Sequence, residues 1–243
     1  MRPSGKEQAM KRSGKERAMT RALDVTASML GLTFLMPVLI GLALVILWRE
    51  GPPVLFSQTR IGRGGRPFHI WKFRTMQPGG MGPVITAAGD HRVTRTGAFL
   101  RKYKLDELPQ LFNVLRGDMS LVGPRPEVPE YVQRQAPIWE AILQVRPGIT
   151  DPASLLYRNE EELLGQSRNP EQLYRERVLP AKLLLNLDYL RKRSFLRDLK
   201  LIWLTVRYSL DPAGFDPEAV QTSFSSGAGN ATELHSLSSA LDR

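Results

Sequence analysis

Lys104-Leu105-Asp106-Glu107-Leu108-Pro109-Gln110-Leu111-Phe112-Asn113-Val114-Leu115-Arg116-Gly117-Asp118-Met119-Ser120-Leu121-Val122-Gly123-Pro124-Arg125-Pro126 opens on two adjacent carboxylates and closes on an arginine between two prolines. Leu105, Leu108, Leu111, Phe112 and Leu115 fall at helical spacing. Pro109 suits a first turn, where backbone N–H groups have no intrahelical partner. Gly117 is a natural C-terminal stop. Asp106 and Glu107 then lie near a helix N-terminus, where the backbone dipole favours negative charge and where a phosphate can also dock. The two prolines restrict the backbone around Arg125, so that cation has less freedom to lose on gripping an anion.

Outward from this stretch, the bulk composition excludes several classes. The 243 residues suit one domain of ordinary size with attachments. There is no cysteine, hence no disulfide and no thiolate metal site. His69, His91 and His235 are far apart, which argues against zinc. The net charge of +10 points to nucleic acid, an anionic membrane surface or phosphorylated substrates. Aromatics make up only 8% and no nucleic-acid-binding signature occurs, so the balance favours membrane and phosphate over nucleic acid.

Residues 1–21 hold seven Lys/Arg against two Asp/Glu and contain a near repeat, 4–12 and 13–21, which reads as a basic disordered leader. Val25 to Trp48 is uncharged and long enough to cross a hydrocarbon core. Pro37 sits in its middle and is expected to break or kink the helix. Both flanks are basic, and basic flanks stay in the cytoplasm. A kinked span and a re-entrant helix–break–helix are both open on these rules, and only the second keeps both flanks inside.

Residues 54–76 predict a β-hairpin, with Gly62, Gly64 and Gly65 as a plain turn, because no Lys-Ser/Thr helix start follows them. Lys72-Phe73-Arg74-Thr75-Met76 closes it. Residues 77–93 are Gly-rich and read as a mobile loop. A helix is expected over Thr96–Tyr103, leading Arg101, Lys102 and Lys104 into the carboxylate pair. Pro126–Pro137 reads as loop or short helix, Pro147–Pro152 as a turn-rich loop, and 158–176 as helical. One long basic amphipathic helix is expected from Ala181 to Tyr208. Its pattern fits both a membrane interface and a packed core. From Pro212 onward the chain is Ser-, Gly- and Ala-rich and is expected to be disordered.

An isolated Asp-Glu is most simply an acidic helix start. Here Arg101, Lys102 and Lys104 precede the pair, and Arg116 and Arg125 follow it. Excess cations beside two carboxylates suit a polyanion bound with a divalent metal. One carboxylate can hold Mg²⁺ while the metal bridges phosphates, and another can attack phosphorus.

Leu105-Asp106-Glu107-Leu108-Pro109-Gln110 with Asp118-Met119-Ser120-Leu121-Val122-Gly123-Pro124-Arg125-Pro126 resembles the bacterial sugar transferases, the monotopic polyprenyl-phosphate phosphoglycosyl transferases. The resemblance covers roughly residues 19–208. An N-terminal hydrophobic segment, Lys72-Phe73-Arg74-Thr75-Met76, the Asp-Glu core, Gly123-Pro124-Arg125-Pro126 and Pro147-Gly148-Ile149-Thr150 occur in the family's order. The resemblance implies Asp106 as nucleophile and Glu107 as metal ligand. It implies Lys72, Arg101 and Arg125 as phosphate-binding or site-organising cations, and Pro37 as the re-entrant break. It implies Mg²⁺, a UDP-sugar and undecaprenyl phosphate as cofactor and substrates, with release of UMP through an aspartyl phosphosugar. Such a reaction initiates exopolysaccharide, O-antigen or glycoconjugate assembly at the cytoplasmic face of a bacterial inner membrane. Membrane lipids are implied partners, nucleic acid is not, and a homodimer stays open. Two stretches depart from the family pattern. Met36-Pro37 stands where Ser-Pro is frequent, and Asp151-Pro152-Ala153-Ser154 stands where many members continue with Gly. Without a four-span bundle ahead of the core, the minimal form is expected.

The expected fold is α+β and predominantly helical, with an N-terminal re-entrant membrane helix, a small β-hairpin and amphipathic interfacial helices. Its divisions are a leader (1–21), a membrane helix (22–50), a catalytic domain (51–211) and a tail (212–243). The rival is a non-enzymatic membrane-anchored basic adaptor binding lipid or nucleic acid. It gives no reason for an Asp-Glu pair ahead of a proline-locked arginine.

Overall fold

The computed structural model of the chain describes residues 14–79, 82 and 85–224. The expectations for 1–13 of the leader, for 225–243 of the tail and for residues 80, 81, 83 and 84 lie outside them.

The longest element is α1, Gly14–Glu50, the one helix among the described residues that is long and apolar enough to cross a membrane. It begins inside the stretch expected to be a disordered leader. Pro37 lies within this single continuous helix rather than between two. The packing explains why. Asp24, Ser28, Leu32, Leu39 and Ile46 form one buried stripe that runs past Pro37 on both sides. The Thr33 hydroxyl donates to the Met29 carbonyl, so it does not serve the carbonyls that Pro37 leaves free. The rest of the helix surface stays apolar and open, with Phe34 and Trp48 76% and 83% exposed.

A hairpin follows as expected, β1 (Leu55–Ile61) antiparallel to β2 (Pro67–Phe73). Next come α2 (Arg95–Lys102) and α3 (Gln110–Arg116). β3 (Ser120–Val122) pairs in parallel with β4 (Gly148–Thr150), with α4 (Pro137–Ile142) between them. The remaining chain is helical: α5 (Pro152–Leu156), α6 (Glu160–Gly165), α7 (Pro170–Leu173), a π-turn at Tyr174–Val178, α8 (Leu179–Arg191), α9 (Phe195–Leu210) and α10 (Pro217–Phe224). The fold is thus mostly helical with two small sheets among the described residues.

Two further expectations are corrected. The long helix over 181–208 is two helices. Arg191 ends α8, and the Ser194 hydroxyl accepts the Arg197 N–H to start α9. The break lets side chains counted on a polar face turn inward. Lys182 is buried against Glu160, and Arg193 pairs with the buried Asp198 while donating to the Val122 carbonyl. α8 is therefore a core helix, whereas α9 keeps an open apolar face of Leu196, Leu199, Trp203, Val206 and Leu210. The second correction concerns the segment after Pro212. α10 buries Val220 and Phe224 in a cluster with Tyr189, Leu201, Leu204 and Tyr208. Two apolar side chains at i and i+4 are enough to dock one short helix, although the composition around them is that of a tail.

Candidate active site

The carboxylates lie in a 3-10 turn, Leu105–Glu107, one turn ahead of α3. Lys104 precedes it with φ at 56°, the left-handed region that side chains other than glycine rarely adopt. That conformation ends α2 and swings the chain into the turn. Leu105 and Leu108 sink into a cluster with Leu32, Leu39 and Ile46 of α1, Phe73 and Leu100. The turn is thereby fixed against both the hairpin and the long apolar helix α1. α3 stops where expected, at Gly117 with φ 89°.

Asn113 supplies a second tie that the apolar spacing of α3 does not reveal. It is wholly buried; its Oδ1 accepts the Trp71 N–H at 3.1 Å and its Nδ2 donates to the His69 carbonyl at 2.7 Å. α3 is thus locked to β2, the strand that carries Lys72.

Three of the expected residues converge. Glu107 is held by Arg125 through both oxygens, Nη1 to Oε2 at 2.9 Å and Nη2 to Oε1 at 2.5 Å. Lys72 Nζ donates to the same Oε1 at 3.2 Å. Burial alone would raise the Glu107 pKa, but Arg125 and Lys72 outweigh it and hold the carboxyl well below the usual range. Burial works against the Arg125 charge too, and Glu107 and Asp151 more than offset it, so its pKa is raised. Lys72 keeps a net loss from burial despite Glu107, and its pKa falls to about 8.

Asp106 is in the opposite state. It is buried, and its Oδ1 has no hydrogen-bond partner. Burial and then the Glu107 charge raise its pKa, against weaker pulls from Lys72, Lys104 and Arg101. A buried carboxylate oxygen left unpaired is costly unless something else meets it.

Arg101 does not reach the pair. Its Nε donates to Thr75 Oγ1 at 2.9 Å and its Nη1 to Glu161 Oε1 at 2.8 Å, so it acts on Asp106 only at longer range. Pro37 lies in α1, away from these residues. Arg60 of β1 was missed. Its Nη1 donates to the Pro126 carbonyl at 3.2 Å and lies 3.7 Å from Glu127, and its charge is felt by Lys72. The Ile61 N–H donates to the Glu127 carbonyl at 2.9 Å, and this tertiary tie brings Arg60 beside Pro126.

For a divalent cation, no group of three or more His, Cys, Asp or Glu converges among the described residues. The protein donors would be Asp106 Oδ1, which is unpaired, and Glu107 Oε2, which accepts one bond from Arg125. Such a small set of hard oxygens fits Mg²⁺, which takes its other ligands from phosphate and water, and fits zinc poorly.

Residues 15–211 match the family model described as bacterial sugar transferase. A UDP-glucose:undecaprenyl-phosphate glucose-1-phosphate transferase of Caulobacter vibrioides is 44% identical over 191 residues, covering 76% of this chain and 67% of that protein. The protein of the same name from Escherichia coli is 37% identical over 192 residues, 76% of this chain and 39% of that protein. A UDP-N-acetylgalactosamine-undecaprenyl-phosphate N-acetylgalactosaminephosphotransferase of Aeromonas hydrophila is 41% identical over 142 residues, 56% of this chain and 34% of that protein. The chain therefore spans between about a third and two thirds of the length of these relatives.

Proposed function

Because the chain belongs to the bacterial sugar transferase family, we propose that it moves a phosphosugar from a UDP-sugar to undecaprenyl phosphate, releasing UMP. The observation that carries this reading is the asymmetry of the pair: an unpaired buried oxygen on Asp106 beside a Glu107 clamped by Arg125 and Lys72.

In the first step an Asp106 oxygen bonds to the sugar-side phosphorus. The bond from that phosphorus to the bridging oxygen breaks, and UMP leaves with the electron pair. In the second, an oxygen of undecaprenyl phosphate bonds to the same phosphorus. The bond from that phosphorus to the Asp106 oxygen breaks, and Asp106 returns as a carboxylate. Lys72 and Arg125 are positioned to balance the charge of the transferring group. Glu107, with Asp106 beside it, would hold Mg²⁺, which when bound neutralises phosphate charge.

The protein then sits on the cytoplasmic face without crossing the membrane, with the continuous helix α1 seated in the bilayer from one side. What supports this is that both ends of α1 are tied to the same domain. Arg21 donates to the Val114 and Leu115 carbonyls, and Asp24 accepts from Ser120 and Leu121. At the other end Arg74 donates to the Glu50 and Gly51 carbonyls. A helix of 37 residues is about 55 Å long. Were it to span, one of these ties would have to lie on the far side. The open faces of α1 and α9 are apolar enough to meet lipid.

The test is UMP release from a panel of UDP-sugars, with undecaprenyl phosphate and Mg²⁺. Release with one or more donors, and ping-pong kinetics, is the expected result. No UMP from any donor would sink the reading. Intersecting-line kinetics would leave transfer but remove the aspartyl step.

A further inference from the structure

Arg125 and Thr150 are 25 positions apart in sequence, yet the loops that carry them are zipped together by backbone. Ser120 N–H donates to the Pro147 carbonyl at 2.9 Å, Gly123 N–H to Thr150 at 3.0 Å, and Gly148 N–H to Pro124 at 3.0 Å. The approach is so close that a Cβ on Gly148 would lie 2.1 Å from the Gly123 nitrogen. The next group along this zip is not a carbonyl but a side chain. Asp151 Oδ2 accepts the backbone N–H of Arg125 at 3.0 Å. The same oxygen accepts the Ser154 hydroxyl at 2.7 Å, and Oδ1 accepts the Ser154 N–H at 2.9 Å, capping α5. Asp151 is 0% exposed.

We propose that Asp151 is a positioning residue for phosphoryl transfer: its carboxylate seats Arg125 by the backbone while the guanidinium is left to grip Glu107 and the substrate phosphate. This rests on the transfer function proposed above. The physical reason is division of labour within one residue. Arg125 has a flexible side chain, and its grip on Glu107 uses two guanidinium nitrogens. Fixing its peptide from below removes backbone freedom without consuming a guanidinium donor, so the fork keeps its aim. The carboxylate also reaches the Ser154 hydroxyl with the same oxygen, so one side chain fixes both loops.

Asp151→Asn separates the two jobs. Asparagine caps helices as well as aspartate and can still accept from the Ser154 N–H. Its amide nitrogen would then face the Arg125 N–H, donor against donor. In full-length, detergent-purified protein, Asp151→Asn should lower kcat/KM for UMP release by about 10- to 100-fold with a melting temperature within a few degrees of wild type. In an Arg125→Ala background the same change should cost less than about threefold, because the residue it acts through is gone. Asp151→Ser, also a good cap but too short to reach Arg125, should repeat both results. Full activity in Asp151→Asn, or an equal loss with and without Arg125, would overturn the assignment. So would unfolding of both variants, which would make Asp151 a structural residue only. Wild-type protein that released no UMP would sink the proposed function instead, and the two failures are distinguishable.

Discussion

Asp106 and Glu107 are neighbours in the chain and opposites in state. Glu107 receives two cations; Asp106 receives none directly and keeps an unpaired oxygen. Incubation with the active UDP-sugar and Mg²⁺, without lipid, should release up to one equivalent of UMP and add one phosphosugar mass at Asp106. Asp106→Asn, checked by mass spectrometry, should form no adduct. The pH profile follows from the same geometry. Attack needs ionised Asp106, whose pKa is raised above 3.8, so kcat/KM should fall as pH drops through that raised value. Lys72 holds its charge below about pH 8 and loses it above, so kcat/KM should fall again on the alkaline side. Lys72→Arg keeps its charge throughout and should move the alkaline limb upward; an unmoved limb would assign it to another group. Arg125→Lys should lose activity by about tenfold or more, since an ammonium cannot keep both contacts to Glu107.

At the scale of elements, α3 is the piece that aligns the site. It meets α1 through Leu111 and Leu115 and β2 through Asn113. Asn113→Ala would leave the Trp71 N–H and the His69 carbonyl without these partners. It should destabilise the protein by about 2–3 kcal/mol, read by chemical denaturation, and lower activity with it. α10 makes the second element-scale case. Its composition suggested a dispensable tail, yet Val220 and Phe224 close the cluster around Tyr189 and Tyr208, and Arg197 and Lys200 bond to Ser223. A chain ending at residue 211 should melt several degrees below one ending at residue 224, because two buried apolar side chains are worth about 3–5 kcal/mol at most. Equal melting temperatures would show that α10 adds nothing.

Over the whole molecule, the domain and its apolar helix are one packed unit. Leu32, Leu39 and Ile46 share a cluster with Leu105 and Leu108, so the seat of α1 and the backbone of the carboxylate turn are continuous. The absence of cysteine makes topology simple to read. Lys15→Cys and Arg66→Cys, both exposed, should each resist an impermeant thiol reagent in intact cells and react once the cells are opened. Labelling of residue 15 alone from outside would establish a span and remove the one-sided seating.

Much of this was legible in the sequence because it depends on local backbone and on apolar spacing. The carboxylate turn ahead of a short helix, the Gly117 stop, the 54–76 hairpin and the apolar N-terminal helix follow from periodicity, proline and glycine alone. What only the tertiary structure decided is which charged groups meet. Arg101, only six positions before Glu107 in the chain, is drawn off by Glu161, whereas Lys72 and Arg125 reach Glu107 across 35 and 18 residues. Asp151 reads as a turn residue until β3 and β4 pair and bring it under Arg125. The 181–208 run reads as one helix until the buried Asp198 claims Arg193 at the break. Periodicity reports which face of an element is buried. It carries no information on which polar partner waits there, because that is set by how distant segments approach, and a buried charge adopts its state from that partner.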